Sequence, residues 1–206
     1  LDGLGVGVVA ELSGDRCQPY VEPALETAAD VLRRLGARVR TVSLPLLAHA
    51  RDAHNPVQMA EAAAVHRHHL AELAPRCAPD VRQRLLAGAL VPAATALTAA
   101  RARWALVDAT HATMDRERLD LLLAPTTPGV APPRDAETMD VRGRPVPLRA
   151  ALTSLVLPAS QLPGPTLALP LGEHEGLPFG MQLTGRPGTE PLVLRAGVAY
   201  EAATGR

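Results

Sequence analysis

Residues 4–12 (LGVGVVAEL) form an apolar, valine-rich run, the pattern of a strand buried on both faces of a parallel sheet. Pro19 and Pro23 then open a helix. Its Leu25, Ala28, Leu32 and Leu35 recur at spacings of three and four, Arg33 and Arg34 sit in its last turn, and Gly36 supplies the stop. Residues 37–44 (ARVRTVSL) carry the next strand and close at Pro45. Strand, helix and strand in about forty residues make a βαβ unit, with parallel pairing and a right-handed crossover.

From Pro56 onward the pattern turns helical and alanine-rich. Breaks at Pro75, Pro79, Gly88 and Pro92 predict helices near 56–73, 80–90 and 93–117. A strand is expected at 119–124 (LDLLLA), followed by a rigid loop, Pro125-Thr126-Thr127-Pro128-Gly129 with Pro132 and Pro133 behind it. Residues 134–147 are charged and proline-rich, which predicts a surface excursion. Short strands at 167–171 and 180–184 flank the turn Glu173-His174-Glu175-Gly176, and a last helix covers 191–203. The elements predict an α/β fold, a mixed β-sheet flanked by α-helices, as one segment over 1–206.

Composition narrows the chemistry. Twenty-one basic residues balance 21 acidic ones, so there is no electrostatic footprint for nucleic acid or an anionic membrane. Lysine is absent, so no lysine base or Schiff base can come from this chain. Aromatic residues make up 2% of the chain, too few for a base-stacking platform. The uncharged stretch 150–172 is broken by Pro158, Pro163, Gly164, Pro165 and Pro170, which excludes a lipid-facing helix. The first thirty residues lack a basic leader, and Cys17 and Cys77 have no motif spacing. The expectation is a cytoplasmic, reduced protein.

Several local motifs read as structure. The glycines of Gly3-Leu4-Gly5-Val6-Gly7 lie inside the strand and not before a helix, so they suit crowded packing better than a phosphate cradle. His66 and His69 share a helix face, but Arg67 lies among them and no carboxylate has a matching spacing, so a solvated face is expected. Ser13, Ser43, Ser154 and Ser160 lack a nucleophile-elbow context, and both cysteines read as structural thiols. Arg101, Arg103 and Trp104 share the long helix, where an arginine can cap a carbonyl, snorkel or reach a ligand.

Longer stretches carry a resemblance. Residues 120–128 (DLLLAPTTP) with Ala131-Pro132-Pro133, residues 176–190 (GLPFGMQLTGRPGTE), and Leu194-Arg195 with residues 199–205 (AYEAATG) resemble elements of the amidase signature family. So do residues 1–8 (LDGLGVGV), the helix from Ala24-Leu25 to Gly36-Ala37-Arg38-Val39, and Ala60-Glu61-Ala62 with His66. They occur in the family's order over nearly the whole chain. The resemblance implies amide hydrolysis by a serine nucleophile assisted by a second serine and a lysine, with backbone N–H groups at the oxyanion. In the family those residues precede the strand that this chain begins with. The chain therefore resembles the C-terminal half of an amidase, without its catalytic residues and inactive alone.

By the same resemblance Arg103, which closes the Ala99-to-Arg103 spacing of a family helix, faces the substrate pocket. Thr126 and Thr127 lie at a strand end, where α/β proteins place ligand contacts. Two departures stand out: Ser160-Gln161 where many members have an asparagine, and Thr189 where an acidic residue often precedes the final glutamate. The second favours a general amidase over the transamidosome type. The implied partner is a small-molecule amide bound together with the N-terminal half, with no cofactor and no metal. A non-catalytic scaffold or binding module is the second reading, and an α/β nucleotide-binding domain the third. Cutting a parallel sheet in two exposes a strand edge, which suits aggregation, a homodimer, or dependence on an N-terminal partner.

Overall fold

The computed structural model describes residues 1–205. Strand β1 (Gly5–Val9) leads through two 3₁₀ turns into α1 (Val21–Arg34), and β2 (Arg38–Val42) follows. β1 and β2 pair in parallel, Val6 opposite Val39. The stop at Gly36 is a Schellman motif: Gly36 N–H donates to Arg33 O and Ala37 N–H to Leu32 O, both at 3.0 Å. Gly7 is small because its strand is crowded. A Cβ there would lie 2.7 Å from Leu119 Cδ1 and 2.9 Å from Val42 Cγ2.

Helix α2 (Ala50–His66) begins six residues before the expected start at Pro56, which lies inside it. Leu47, Ala50 and Ala53 are buried and carry the apolar period upstream, so packing overrides the proline signal. The helix expected over 56–73 breaks after His66, and its end forms the short α3 (Leu70–Leu73); α4 (Pro79–Gly88) and the long α5 (Ala93–Arg116) follow close to their expected places. β3 (Leu121–Pro125) pairs in parallel with β1, Val6 opposite Leu121.

The expected surface excursion is ordered. β4 (Thr138–Val141) and β5 (Arg144–Pro147) form a separate antiparallel hairpin turning at Arg142 and Gly143, whose φ values are 54° and 77°. Two short helices that the sequence pattern misses come next, α6 (Leu148–Thr153) and α7 (Val156–Gln161). β6 (Thr166–His174) and β7 (Leu177–Gly185) run longer than expected, up to a two-residue turn at Glu175 and Gly176 with φ of 52° and 76°. α8 (Glu190–Thr204) closes the chain.

The main sheet has the order β2-β1-β3-β7-β6, mixed because β7 runs antiparallel to both β3 and β6. One face presents Val6, Leu121, Leu123, Met181 and Leu183, all fully buried beneath α1 and α8 through Leu32, Val193, Ala196 and Tyr200. The other face carries Val9, Leu122, Ala124, Gln182 and Thr184, covered by Ala159 and Leu162 of α7 and its C-terminal flank and by Leu47. β2 and β6 are the edges. β2 exposes Arg38 and Arg40, whereas β6 exposes Thr166, Ala168 and Pro170. Among the described residues, no single helix is long and apolar enough to cross a membrane.

Candidate active-site cleft

The parallel strands β1 and β3 end on the same side of the sheet. Ligands of α/β sheets bind outside such carboxyl ends, in the crevice between neighbouring strands whose connections diverge. The loops leaving these two strands are tied together. Gln18 N–H donates to Pro128 O at 2.7 Å, Gln18 Nε2 reaches Asp140 O at 2.5 Å, and the Tyr20 hydroxyl accepts from Val130 N–H at 3.0 Å. The hairpin is drawn in as well: Arg142 Nε donates to Cys17 O at 2.9 Å and Arg144 Nη2 to Asp15 O at 3.1 Å.

These contacts leave a cleft of about 380 Å³ walled by Asp15, Arg16, Pro128, Arg144, Ala151 and Ser154. Beside it lies a smaller cavity of about 110 Å³ that shares Arg16 and Ser154 and adds Arg51. In the turn after β1, Glu11 accepts from Ser43 Oγ at 2.5 Å and Leu44 N–H at 2.8 Å. Burial works to raise the Glu11 carboxyl, but these hydrogen bonds and the charge of Arg16 outweigh it and hold the group below its usual range.

Thr126 and Thr127 follow directly on the end of β3. Thr126 N–H donates to Gly180 O at 2.9 Å, extending the ladder beyond β3, and Thr127 Oγ1 donates to Gly129 O at 2.8 Å. Both are half-buried, and Pro128 beside them is cleft wall. Arg103 is elsewhere. Its Nε donates to Gln161 O at 3.3 Å, at the C-terminal end of α7, where a cation also meets the negative end of the helix. The other end of α7 is pinned toward Thr126 by Gln182, 3% exposed, whose Nε2 donates to Pro125 O at 3.0 Å and Leu155 O at 2.8 Å. The structure thus brings Thr126 and Thr127 together and sets Arg103 at the far end of a six-residue helix, about 9 Å long.

Around Arg103 lies a polar junction of which the sequence carries no sign. The buried Gln161 amide meets His54 Nδ1 at 2.8 Å. Burial lowers the His54 pKa, the positive charges of Arg103 and Arg84 lower it further, and a hydrogen bond to Gln58 opposes them. Cys17 is inert: burial pushes its thiol up to about 12. His66 Nδ1 and His69 Nε2 are 3.2 Å apart, but among the described residues no three His, Cys, Asp or Glu side chains converge as metal ligands. Sequence reasoning misses the cleft arginines Arg16, Arg51 and Arg144. The one available signal is position, since Gly14-Asp15-Arg16 follows the end of a buried parallel strand.

The family comparisons agree with this architecture. A profile described as Amidase matches residues 1–194. Over 98% of its length the chain is 36% identical to an amidase of Pseudomonas putida, covering 43% of that protein. Over 98% it is also 34% identical to a component of the glutamyl-tRNA(Gln) amidotransferase of Chloroflexus aurantiacus, covering 45% of it. A crystal structure of an amidase superposes with a TM-score of 0.89 at 33% identity, covering 98% of this chain and 46% of that one. The chain spans less than half the length of these curated relatives and matches their C-terminal half. With its sheet order, its cleft and these likenesses in agreement, the chain belongs to the Amidase family of amidase-signature enzymes.

Proposed function

We propose that residues 1–206 supply the C-terminal part of an amidase that hydrolyses the carbon–nitrogen bond of a small linear amide. In this reading the chain completes the sheet and walls the substrate pocket, with Thr126 and Thr127 at the rim and Arg103 facing the substrate from α5. A preceding half brings the serine nucleophile and the lysine that this chain lacks. The observation that carries the reading is the near-complete match to family members, 98% of the chain at a TM-score of 0.89, together with a cleft at the carboxyl ends of β1 and β3.

The test is reconstitution. The 206-residue polypeptide is assayed for ammonia release from short aliphatic and aryl amides, alone and joined to an amidase-signature N-terminal half. The expected result is no turnover alone and turnover when joined, with KM raised by Arg103→Ala and Thr126→Ala. Turnover by the lone polypeptide that one serine-to-alanine change abolishes would refute the division of labour. The absence of lysine also suits a non-catalytic module derived from an amidase. A joined protein that binds amides but never releases ammonia would favour that second reading.

A further inference from the structure

We propose that the paired cavities outside β1 and β3 hold a carboxylate between Arg16 and Arg51, so that the enzyme selects small amides bearing an acidic group. This deepens the reading above and rests on it. Both arginines line the cavity of about 110 Å³, with Ser154, Leu157 and Pro158 completing much of its wall. That space, about the volume of three or four waters, is ample for a carboxylate group. The adjoining cleft of about 380 Å³, reached past the same Arg16 and Ser154, has room for the remainder of a small amide.

Neither arginine has a salt-bridge partner among the described residues. All of the ion pairs there involve other side chains. Arg51 is fixed in place by Nη2, which donates to Ala150 O at 2.7 Å and Thr153 Oγ1 at 3.3 Å, leaving the rest of its fork for a ligand. The Arg16 guanidinium, half-buried, makes no hydrogen bond among the described residues. Of the nearby acids, Glu11 feels the charge of Arg16 but makes its hydrogen bonds to Ser43 and Leu44, and Asp15, with its side chain 89% exposed, lies 3.9 Å from Arg142. Two cations over one small cavity repel each other, and an anion between them turns repulsion into two attractions. The planar guanidinium fork matches the two oxygens of a carboxylate.

The experiment uses the chain joined to its N-terminal half, with three probes: glutaric acid monoamide, its methyl ester, and glutarate as a ligand with no amide to cleave. The acid is expected to show a KM lower than the ester by about tenfold or more, the worth of one charge-assisted hydrogen bond. Arg16→Gln and Arg51→Gln each erase that preference and weaken glutarate binding, read by calorimetry, by a similar factor, while Arg16→Lys keeps part of it. Turnover with equal KM for acid and ester overturns the carboxylate site and leaves the amidase reading standing. Glutarate binding that is lost in Arg16→Gln, in a protein with no turnover, supports the site and sinks the amidase reading. Inorganic phosphate binding more tightly than glutarate overturns the proposal. So does an Arg16→Gln protein whose two halves separate while glutarate affinity is unchanged, because the carboxylate would then belong to the other half.

Discussion

Gln182 is the joint between the sheet and the cleft, and replacing it makes a quantitative test. Its amide is 3% exposed and donates to the carbonyls of Pro125 and Leu155. Gln182→Leu keeps most of the volume and removes both donations. Each such bond nets about 1 kcal/mol, and a buried acceptor left bare costs about 1–3 kcal/mol. Leucine is easier to bury than an amide and returns part of this, so the net loss is about 2 kcal/mol. At about 2–4 °C per kcal/mol for a domain of this size, Tm falls by about 4–8 °C. Thr184→Val is the comparison, because it loses only the 3.0 Å hydroxyl pair with Thr166, worth about 1 kcal/mol or less.

Gln182→Glu separates hydrogen bonding from packing. A protonated carboxyl can donate to one of the two carbonyls, whereas a carboxylate faces both as a buried charge. The folded-state pKa is therefore raised, so the folded protein binds more protons than the unfolded one above the ordinary carboxyl range. Stability of this variant falls as pH rises beyond about 4–5, while the cost of Gln182→Leu stays flat with pH. Thermal melts from about pH 4 to pH 8 read both. A leucine variant melting within about 1 °C of the parent, or one no worse than Thr184→Val, would refute the claim that Gln182 holds the β3 loop to α7.

Three further outcomes are expected. Below about pH 6.5 the unfolded His54 takes up a proton that the folded one resists, so stability falls as pH drops through that value, and His54→Gln flattens the slope in pH-resolved denaturation; an unchanged slope counts against the junction. In a native thiol titration at about pH 8, half-buried Cys77 reacts and Cys17, its thiol pushed up to about 12, does not, so Cys77→Ser silences the reaction; a fast-reacting Cys17 contradicts the burial argument. The 206-residue polypeptide alone self-associates in sedimentation, because Leu97 and Trp104 are each 61% exposed on one face of α5 and β6 is an open edge. Leu97→Glu with Trp104→Glu reduces the association, and a clean monomer melting cooperatively above about 60 °C shows that the surface is harmless.

The legible parts of the fold are those whose signal is local. β1, α1 and β2 follow from a valine run, a three-and-four leucine stripe and Gly36, and each lies within a few residues of its expected bounds. The start of α2 is hard to place because a proline at a helix start and a proline inside one look alike until Leu47, Ala50 and Ala53 are seen to be buried. Helices α6 and α7, six residues each, are too short to show a helical period. The β4–β5 hairpin hides behind proline and charge. Its pairing is antiparallel and separate from the main sheet, and its small core is Met139 and Val141 with Ala151, flanked by partly buried Val146, Leu148 and Leu152.

The site follows the same rule with a sharper division. The strand end before Thr126 and Thr127 is legible because a strand end is a local event, and β3 does end at Pro125. Arg16, Arg51 and Ser154 come from three distant parts of the chain, and nothing in the sequence around any of them announces the other two. They meet because the β1 loop is bonded to the β3 loop through Gln18 and Tyr20, and because α7 is held over the sheet by Gln182 at one end and by Arg103 at the other. Arg103 thus has a structural task that the resemblance alone does not suggest: it anchors the helix whose opposite end positions the loop of Thr126. A change at Arg103 should therefore act on the cleft through α7 as well as on any bound substrate. The two routes separate by chemistry, since Arg103→Lys can still donate to Gln161 O but loses the planar fork.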